Sequence, residues 1–337
     1  MFLLKASGEL STQEKSVDQE IYGLVKAILD EWNTSDKISF QSSGSTGEAK
    51  KMSFSKNLVI ASINRSNQFF GLDKMDSFLC PLHPKYVAGK MMILRALHLK
   101  KELRICDPSN LALAIGTTNY DFAPLVPLQL EKLLDLKSPL PKCILLGGSL
   151  LDPSLADRIA KLAPNATIFQ GYGMTETLTH IAIREVFPHL QEAYELLPGV
   201  EVRTGLQGNL EIKLDAQSEW ISTTDQVEID DNKLFYKGRL DDIINTGGYK
   251  CNPLEIESLL KPLISEAFFI AGIPDKKLGQ KVVLVVEGNH VDYQLEDIKK
   301  TLLSQCSPYA IPKEIMLVSN FKRTLSGKIK RRESLRH

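Results

Sequence analysis

The sequence has no surplus of charge, no CxxC pair and no long apolar run at its start, and each shortage removes a class of protein. Lys+Arg and Asp+Glu number 41 each across 337 residues. Nucleic-acid binding calls for a basic excess gathered on one face to meet the phosphates. Here the longest basic cluster is the terminal KIKRRESLRH, so no nucleic-acid partner is expected. At the N-terminus the apolar residues Phe2, Leu3 and Leu4 stop at Lys5. That run is too short for a signal-peptide core or a membrane span. The five cysteines (Cys80, Cys106, Cys143, Cys251, Cys306) stand apart, most of them inside apolar runs such as FLCPL and KCILLGG. Such placement reads as buried, reduced thiols rather than disulfides or metal ligands. The six histidines never approach metal-ligand spacing, and there is no internal repeat or low-complexity tract. A soluble, cytoplasmic protein is expected.

What the chain does have is alternation. Apolar residues recur at Ile21, Leu24, Val25, Ile28 and Trp32, which is helical spacing. The short run ISFQ then reads as extended, and Ser55 is placed to cap a helix that runs to Gly71. Strand-like DSFLCPL, ELRIC, YDFAPLVP, KCILLGG and ATIFQ alternate with helical AGKMMILRALHL, LQLEKLLDL and DPSLADRIAKLA. That order predicts an α/β layer with a mostly parallel sheet, whose ligands gather at the loops leaving the strand ends. After Pro198 short runs such as VEVRT, NLEIKL and KLFYKGR, separated by turn signals, predict a β-rich subdomain. Beyond 241 two helical and three strand-like runs make a small α+β unit. The expected organisation is a large N-terminal α/β domain, 1–240, joined by a hinge at 238–241 to a small C-terminal domain, 241–337.

The stretch SSGSTGEAKK has the glycines, hydroxyls and lysine of a phosphate loop without a Walker ending, because Ala49 precedes Lys50 and Lys51 follows it. Ser43, Ser45, Thr46 and Gly47 let the backbone turn sharply and present amides beside hydroxyls, a nest suited to phosphate oxygens. Lys50 adds a point charge. The same residues fit an ordinary surface turn. In GYGMTET, Tyr172 offers a ring to a base, and Thr175 and Glu176 offer oxygens to phosphate and magnesium; a plain strand-end turn is the alternative. Asp225 in STTDQVEI suits a pair of ribose hydroxyls, or a turn. Arg239 brings a cation into GRLDDIINTGGYK, where Gly247 and Gly248 permit unusual backbone angles. Lys328 follows Ser-Gly in a basic tail that, taken alone, reads as a solvated surface.

In this order and spacing, SSGSTGEAK, GYGMTET, STTDQVEI, GRLDDIINTGGYKCNPLEIE and TLSGKIKR resemble the adenylate-forming superfamily of acyl-CoA synthetases, luciferases and peptide-synthetase adenylation domains, over roughly 40–332. AGIPDKKLGQKVVLVVE looks like a further segment of it. The resemblance implies a ligase that uses ATP, Mg²⁺ and coenzyme A on a small-molecule carboxylic acid, and it admits a homodimer. It assigns Ser43, Ser45, Thr46, Gly47 and Lys50 to the pyrophosphate end, with Thr175 and Glu176 on phosphate and magnesium. Tyr172 would stack on adenine, and Asp225 and Arg239 would hold the ribose. Lys328 would bridge the acyl carboxylate and the α-phosphate, Asp241 would be the hinge, and Gly247 and Gly248 would face coenzyme A.

Within the superfamily, the reduced N-terminal region and YVAGKMMILRAL resemble short bacterial acid–CoA ligases, with Arg95 on the arginine of a substrate-pocket segment and Lys90 and Gly148 as further substrate candidates. A cation there would meet the second carboxylate of a diacid; a helix-surface arginine is the plainer reading. The usual Pro-Lys-Gly loop ending is Ala49-Lys50-Lys51, and Lys322 replaces a proline before the last motif. Other aryl or fatty acyl-CoA ligases, an amino-acid adenylation domain and a degenerate nucleotide-binding regulator are the alternatives.

Overall fold

The computed structural model describes residues 1–12, 18–41, 51–111, 115–116, 118–147, 154–215, 217–324 and 327–335. They form two compact units, 1–202 with 212–221 and 230–234, and 203–211 with 222–229 and 235–337.

In the first unit β1 (Phe2–Leu4) pairs antiparallel with β2 (Leu10–Thr12). Helix α1 (Gln19–Thr34) starts where the Asp18 carboxylate accepts the N–H groups of Glu20 and Ile21, and it buries Ile21, Val25 and Ile28. Those residues are the expected stripe, at spacings of three and four. Strands β3 (Lys37–Gln41) and β4 (Lys51–Ser55) pair as an antiparallel ribbon. Helix α2 (Lys56–Phe70) is capped as the sequence predicts, by the Ser55 hydroxyl on the Leu58 N–H and by Gly71 at φ 65°. There follow β5 (Ser77–Cys80), α3 (Val87–Leu99), β6 (Glu102–Ile105), β7 (Phe122–Leu125), β8 (Cys143–Leu146), β9 (Thr167–Gly173), β10 (His180–Phe187) and β11 (Tyr194–Leu196).

These strands lie in the order β11-β10-β9-β8-β7-β5-β6-β1-β2. The central pairs β8·β9, β7·β8, β5·β7 and β5·β6 are parallel, as expected, and antiparallel pairs flank them. All four residues of FAPL and of CILL are buried, the composition of strands covered on both faces. Leu79, Ile144, Leu146 and Ile168 of the sheet share a core with Leu130, Leu133 and Ile159 of helices Pro127–Asp135 and Ser154–Leu162. β9 runs three residues beyond ATIFQ, through Gly-Tyr-Gly, because β10 supplies an antiparallel partner that local composition does not announce. Past Pro198 the chain is β-rich, with strands Val200–Thr204, Leu210–Leu214, Asp225–Asp230 and Lys233–Arg239.

The second unit holds a sheet of Ile244–Thr246, Tyr249–Cys251, Phe268–Asp275, Gly279–Glu287 and Ile315–Val318. Its long central hairpin is apolar on both faces. Ile270, Val282, Leu284 and Val286 meet helices Pro253–Leu260 and Leu295–Leu303 through Ile256, Leu260, Ile298 and Leu302. Phe269, Val283 and Val285 point the other way and are covered by Phe321, Ile329 and Leu335 of the C-terminal segment. The period of two thus seats the segment that carries Lys328.

Cys80, Cys106, Cys143 and Cys251 are buried free thiols and Cys306 is half-buried, in keeping with their apolar runs. No helix among the described residues is long and apolar enough to cross a membrane.

Candidate active site

Ser43, Ser45, Thr46, Gly47 and Lys50 of the glycine loop, and Gly148, lie outside the described residues. What is described is the loop's base, where β3 and β4 stay in register from Lys37↔Ser55 to Gln41↔Lys51.

The GYGMTET motif occupies the end of β9 and a 3-10 turn, Thr175–Thr177. Gly173 is required by packing, since a Cβ there would stand 2.1 Å from the Thr179 carbonyl oxygen. The turn is drawn tight by buried Thr177, whose hydroxyl accepts the Met174 N–H at 3.1 Å and lies 2.8 Å from the Thr179 carbonyl. Leu178, fully buried, takes φ 67° and ψ −52°, a backbone conformation costly for a side chain of its size. The strained joint leaves Thr175 half-buried and Glu176 exposed. Tyr172 lies against Tyr194, ring centroids 5.8 Å apart, and the Arg184 guanidinium covers the Tyr194 ring at 4.6 Å. Arg184 also grips Gln170 Oε1 through Nε and Nη2, at 3.0 and 2.7 Å.

In the second unit Asp225, Arg239 and Asp241 come together. Arg239 forks onto Asp241, Nε to Oδ1 at 2.8 Å and Nη2 to Oδ2 at 3.0 Å, with Asp225 Oδ1 3.8 Å from Nε. Its Nη2 also donates to the Thr224 hydroxyl at 2.7 Å. The Arg239 bond holds the Asp241 carboxyl below the ordinary carboxylate range, against its partial burial. Asp225 is 9% exposed. Gly247 and Gly248, at φ 59° and 83°, form the two-residue turn between Ile244–Thr246 and Tyr249–Cys251, a left-handed pair that glycine tolerates. Lys328 is exposed on the second arm of a hairpin.

Helix α3 carries the two proposed substrate cations, and they differ. Lys90 is engaged: its Nζ sits on Glu31 and donates to the Ser39 carbonyl at 2.7 Å. Burial pushes the Glu31 carboxyl up, but the Lys90 and Ser39 hydrogen bonds outweigh it and leave the pKa lowered. Arg95 is only 3% exposed and meets no carboxylate among the described residues. One guanidinium nitrogen donates to Ser66 Oγ at 3.2 Å and another faces Met92 Sδ at 3.6 Å, while Nε has no partner among the described residues. Burial pulls its pKa down to about 10.

The residues that orient Arg95 carry no local sequence signal. Ser66 Oγ lies 3.1 Å from the Ser62 carbonyl and 3.0 Å from His180 Nε2. With its one proton on that carbonyl, the hydroxyl accepts from both Arg95 and His180, so His180 carries its proton on Nε2. Burial, and then the charges of Arg95 and Arg65, push the His180 pKa down to about 3 and keep the ring neutral. Ser66 and His180 are 114 positions apart, so no local signal could have paired them.

Comparison with known proteins agrees with the motif reading. The family described as AMP-binding enzyme matches residues 12–205. The 2-succinylbenzoate–CoA ligase of Lactococcus lactis is 28% identical over 321 residues, 88% of this chain and 70% of that protein. The Escherichia coli protein of the same name is 27% identical, over 78% of this chain and 61% of its own length. Among solved structures, an acyl-CoA synthetase (AMP-forming)/AMP-acid ligase II-like protein from Dyadobacter fermentans superposes with TM-score 0.64 at 29% identity, over 99% of both chains. The o-succinylbenzoate CoA synthetase of Bacillus subtilis, bound to its acyl-adenylate, has the same fold at TM-score 0.74 and 21% identity, covering 89% of this chain and 68% of that one.

Proposed function

The chain belongs to the AMP-binding enzyme family, and on that premise we propose that it is an ATP-dependent, AMP-forming acid–CoA ligase whose acid is o-succinylbenzoate. The observation that carries the choice of acid is Arg95: a buried guanidinium, already oriented by Ser66, for which no carboxylate is provided among the described residues. A buried unpaired cation is costly. A diacid that reacts at one carboxylate and leaves the other on Arg95 removes that cost. The curated relatives named above carry the name of such an acid.

A carboxylate is a poor acyl donor because its leaving group would be oxide. Its oxygen attacks the α-phosphorus of ATP, forming a P–O bond as pyrophosphate departs; the coenzyme A thiol then attacks the acyl carbon of the adenylate, loses its proton and expels AMP. The first step needs positioning and charge neutralisation more than covalent help. Glu176, exposed on the turn after β9, would hold Mg²⁺, which would neutralise phosphate charge. Thr175 donates to phosphate, Tyr172 stacks on adenine, and Asp225 accepts from the ribose hydroxyls beside Arg239. Lys328 places its ammonium between the acyl carboxylate and the α-phosphate. Gly247 and Gly248 serve the thiol step, where a turn without side chains admits a close approach.

ATP–pyrophosphate exchange over a panel of acids tests the proposal. It should be fastest with o-succinylbenzoate and weak with aryl monoacids, fatty acids and amino acids. Exchange driven best by a monoacid sinks the choice of acid, and none with any acid sinks the ligase reading.

A further inference from the structure

The hairpin that carries Lys328 is tied to its unit at both ends, and the reaction as assigned above leaves those ties without a role. The Thr324 N–H donates to the Lys328 carbonyl at 2.9 Å, the Lys328 N–H donates to the Thr324 hydroxyl at 3.1 Å, and Arg323 bridges Ile329. On the first arm Arg323 forks onto Glu287, at the end of strand Gly279–Glu287, with one Nη1–Oε1 bond of 2.6 Å and a second from Nη2 to Oε2. Glu287 Oε1 also accepts the Phe321 N–H at 2.6 Å. Past the second arm, Arg331 donates to Glu257 of helix Pro253–Leu260 at 2.9 Å and lies over the Phe269 ring at 5.7 Å. Glu257 is 8% exposed, and its other oxygen takes the Ile270 N–H at 2.9 Å. The two arms therefore end on carboxylates from two different elements, one a strand and one a helix.

An exposed ion pair contributes little stability, but a forked one fixes direction as well as attraction. A reacting group has to be held to about 0.5 Å of its working position. Resting on the reading of Lys328 given above, we infer that Arg323–Glu287 and Arg331–Glu257 are positioning pairs for adenylate formation. They touch no reactant; they set the direction in which the hairpin presents the Lys328 ammonium. The Gly247–Gly248 turn uses neither pair, so the thiol step is to be spared.

The experiment measures the two half-reactions separately: pyrophosphate release from ATP and acid, and thioester formation from synthetic acyl-adenylate and coenzyme A. Arg323→Met should slow the first by up to about 10²-fold, which is what a misplacement of roughly 1 Å costs, and leave the second nearly unchanged. Arg323→Lys keeps the charge but loses the fork, and should recover little. Arg331→Lys should recover most of what Arg331→Met loses, because Arg331 reaches Glu257 through one nitrogen. Equal losses in both half-reactions, or full adenylation in variants that melt like the wild type, overturn the inference. Lys328→Ala separates the two layers: if it harms both half-reactions alike, the reading of Lys328 itself fails. If it harms only the first while the tie variants harm neither, the ties fail. Should Arg331→Met not fold, Glu287→Gln and Arg323→Lys at the more exposed tie decide.

Discussion

Arg331 in the second unit and Arg95 in the first both lie among apolar neighbours, but only Arg331 meets a carboxylate. Arg331 covers Phe269 and is answered by Glu257, itself buried and bonded to the Ile270 N–H. Arg95 has a hydroxyl, a thioether and a neutral imidazole nearby, and its Nε is unmet among the described residues. One arginine has its counter-charge built into the fold and the other does not. The fold supplies Asp215 to buried Arg65 and Glu257 to half-buried Arg331, but no carboxylate among the described residues to Arg95, which is why we assign Arg95 to a ligand's charge.

The largest effect that would sharpen this contrast is on specificity. Arg95→Met should lower kcat/KM for the diacid by roughly 30-fold or more, the cost of truncating one side of a buried charge pair. An aryl monoacid should hardly notice; a parallel fall for both acids breaks the contrast. Next comes stability at the answered site. Arg331→Met strands Glu257 and should cost about 3 kcal/mol in urea unfolding. The same Arg→Met change at 95 removes an unanswered charge, so its stability should stay within about 1 kcal/mol of wild type, or rise. If Arg95→Met unfolds as readily as Arg331→Met, Arg95 is structural.

The third effect is a slope in pH, confined to acid conditions. His180 has a folded-state pKa of about 3 against an ordinary 6.5, so in that window the unfolded chain binds a proton that the folded chain refuses. Stability therefore rises with pH across the window and is lost as pH falls through it. His180→Gln should flatten that part of a urea-stability profile. An unchanged profile means that His180 is not held neutral beside Arg95.

Much of this was legible from local signals. The Ile21, Val25 and Ile28 stripe, the Ser55 and Gly71 caps and the solid apolar runs of β7 and β8 each follow from residues close in sequence. β1 was not, because three residues carry no period, and β10 was not, because its reason is a partner strand. At the site the resemblance groups Asp225 with Arg239 but reads Asp241 only as a hinge; its fork with Arg239 is legible only in the fold. The plainer reading of Arg95, a cation lying along a helix surface, gives way to burial. Ser66 and His180, brought together only by α2 and β10, had no signature to read.

The close approach of Gly173 to the Thr179 carbonyl has a consequence for descendants of this chain. Any side chain there collides with backbone whether or not the reaction still runs. A lineage that lost adenylation would go on keeping Gly173 for the sake of folding, while exposed Glu176 would be free to drift. Silent copies and working enzymes would then share most of GYGMTET and part company at a single carboxylate. If Glu176 has the role proposed for it, that residue, rather than the glycines that make the motif conspicuous, is the position to inspect when sorting one from the other.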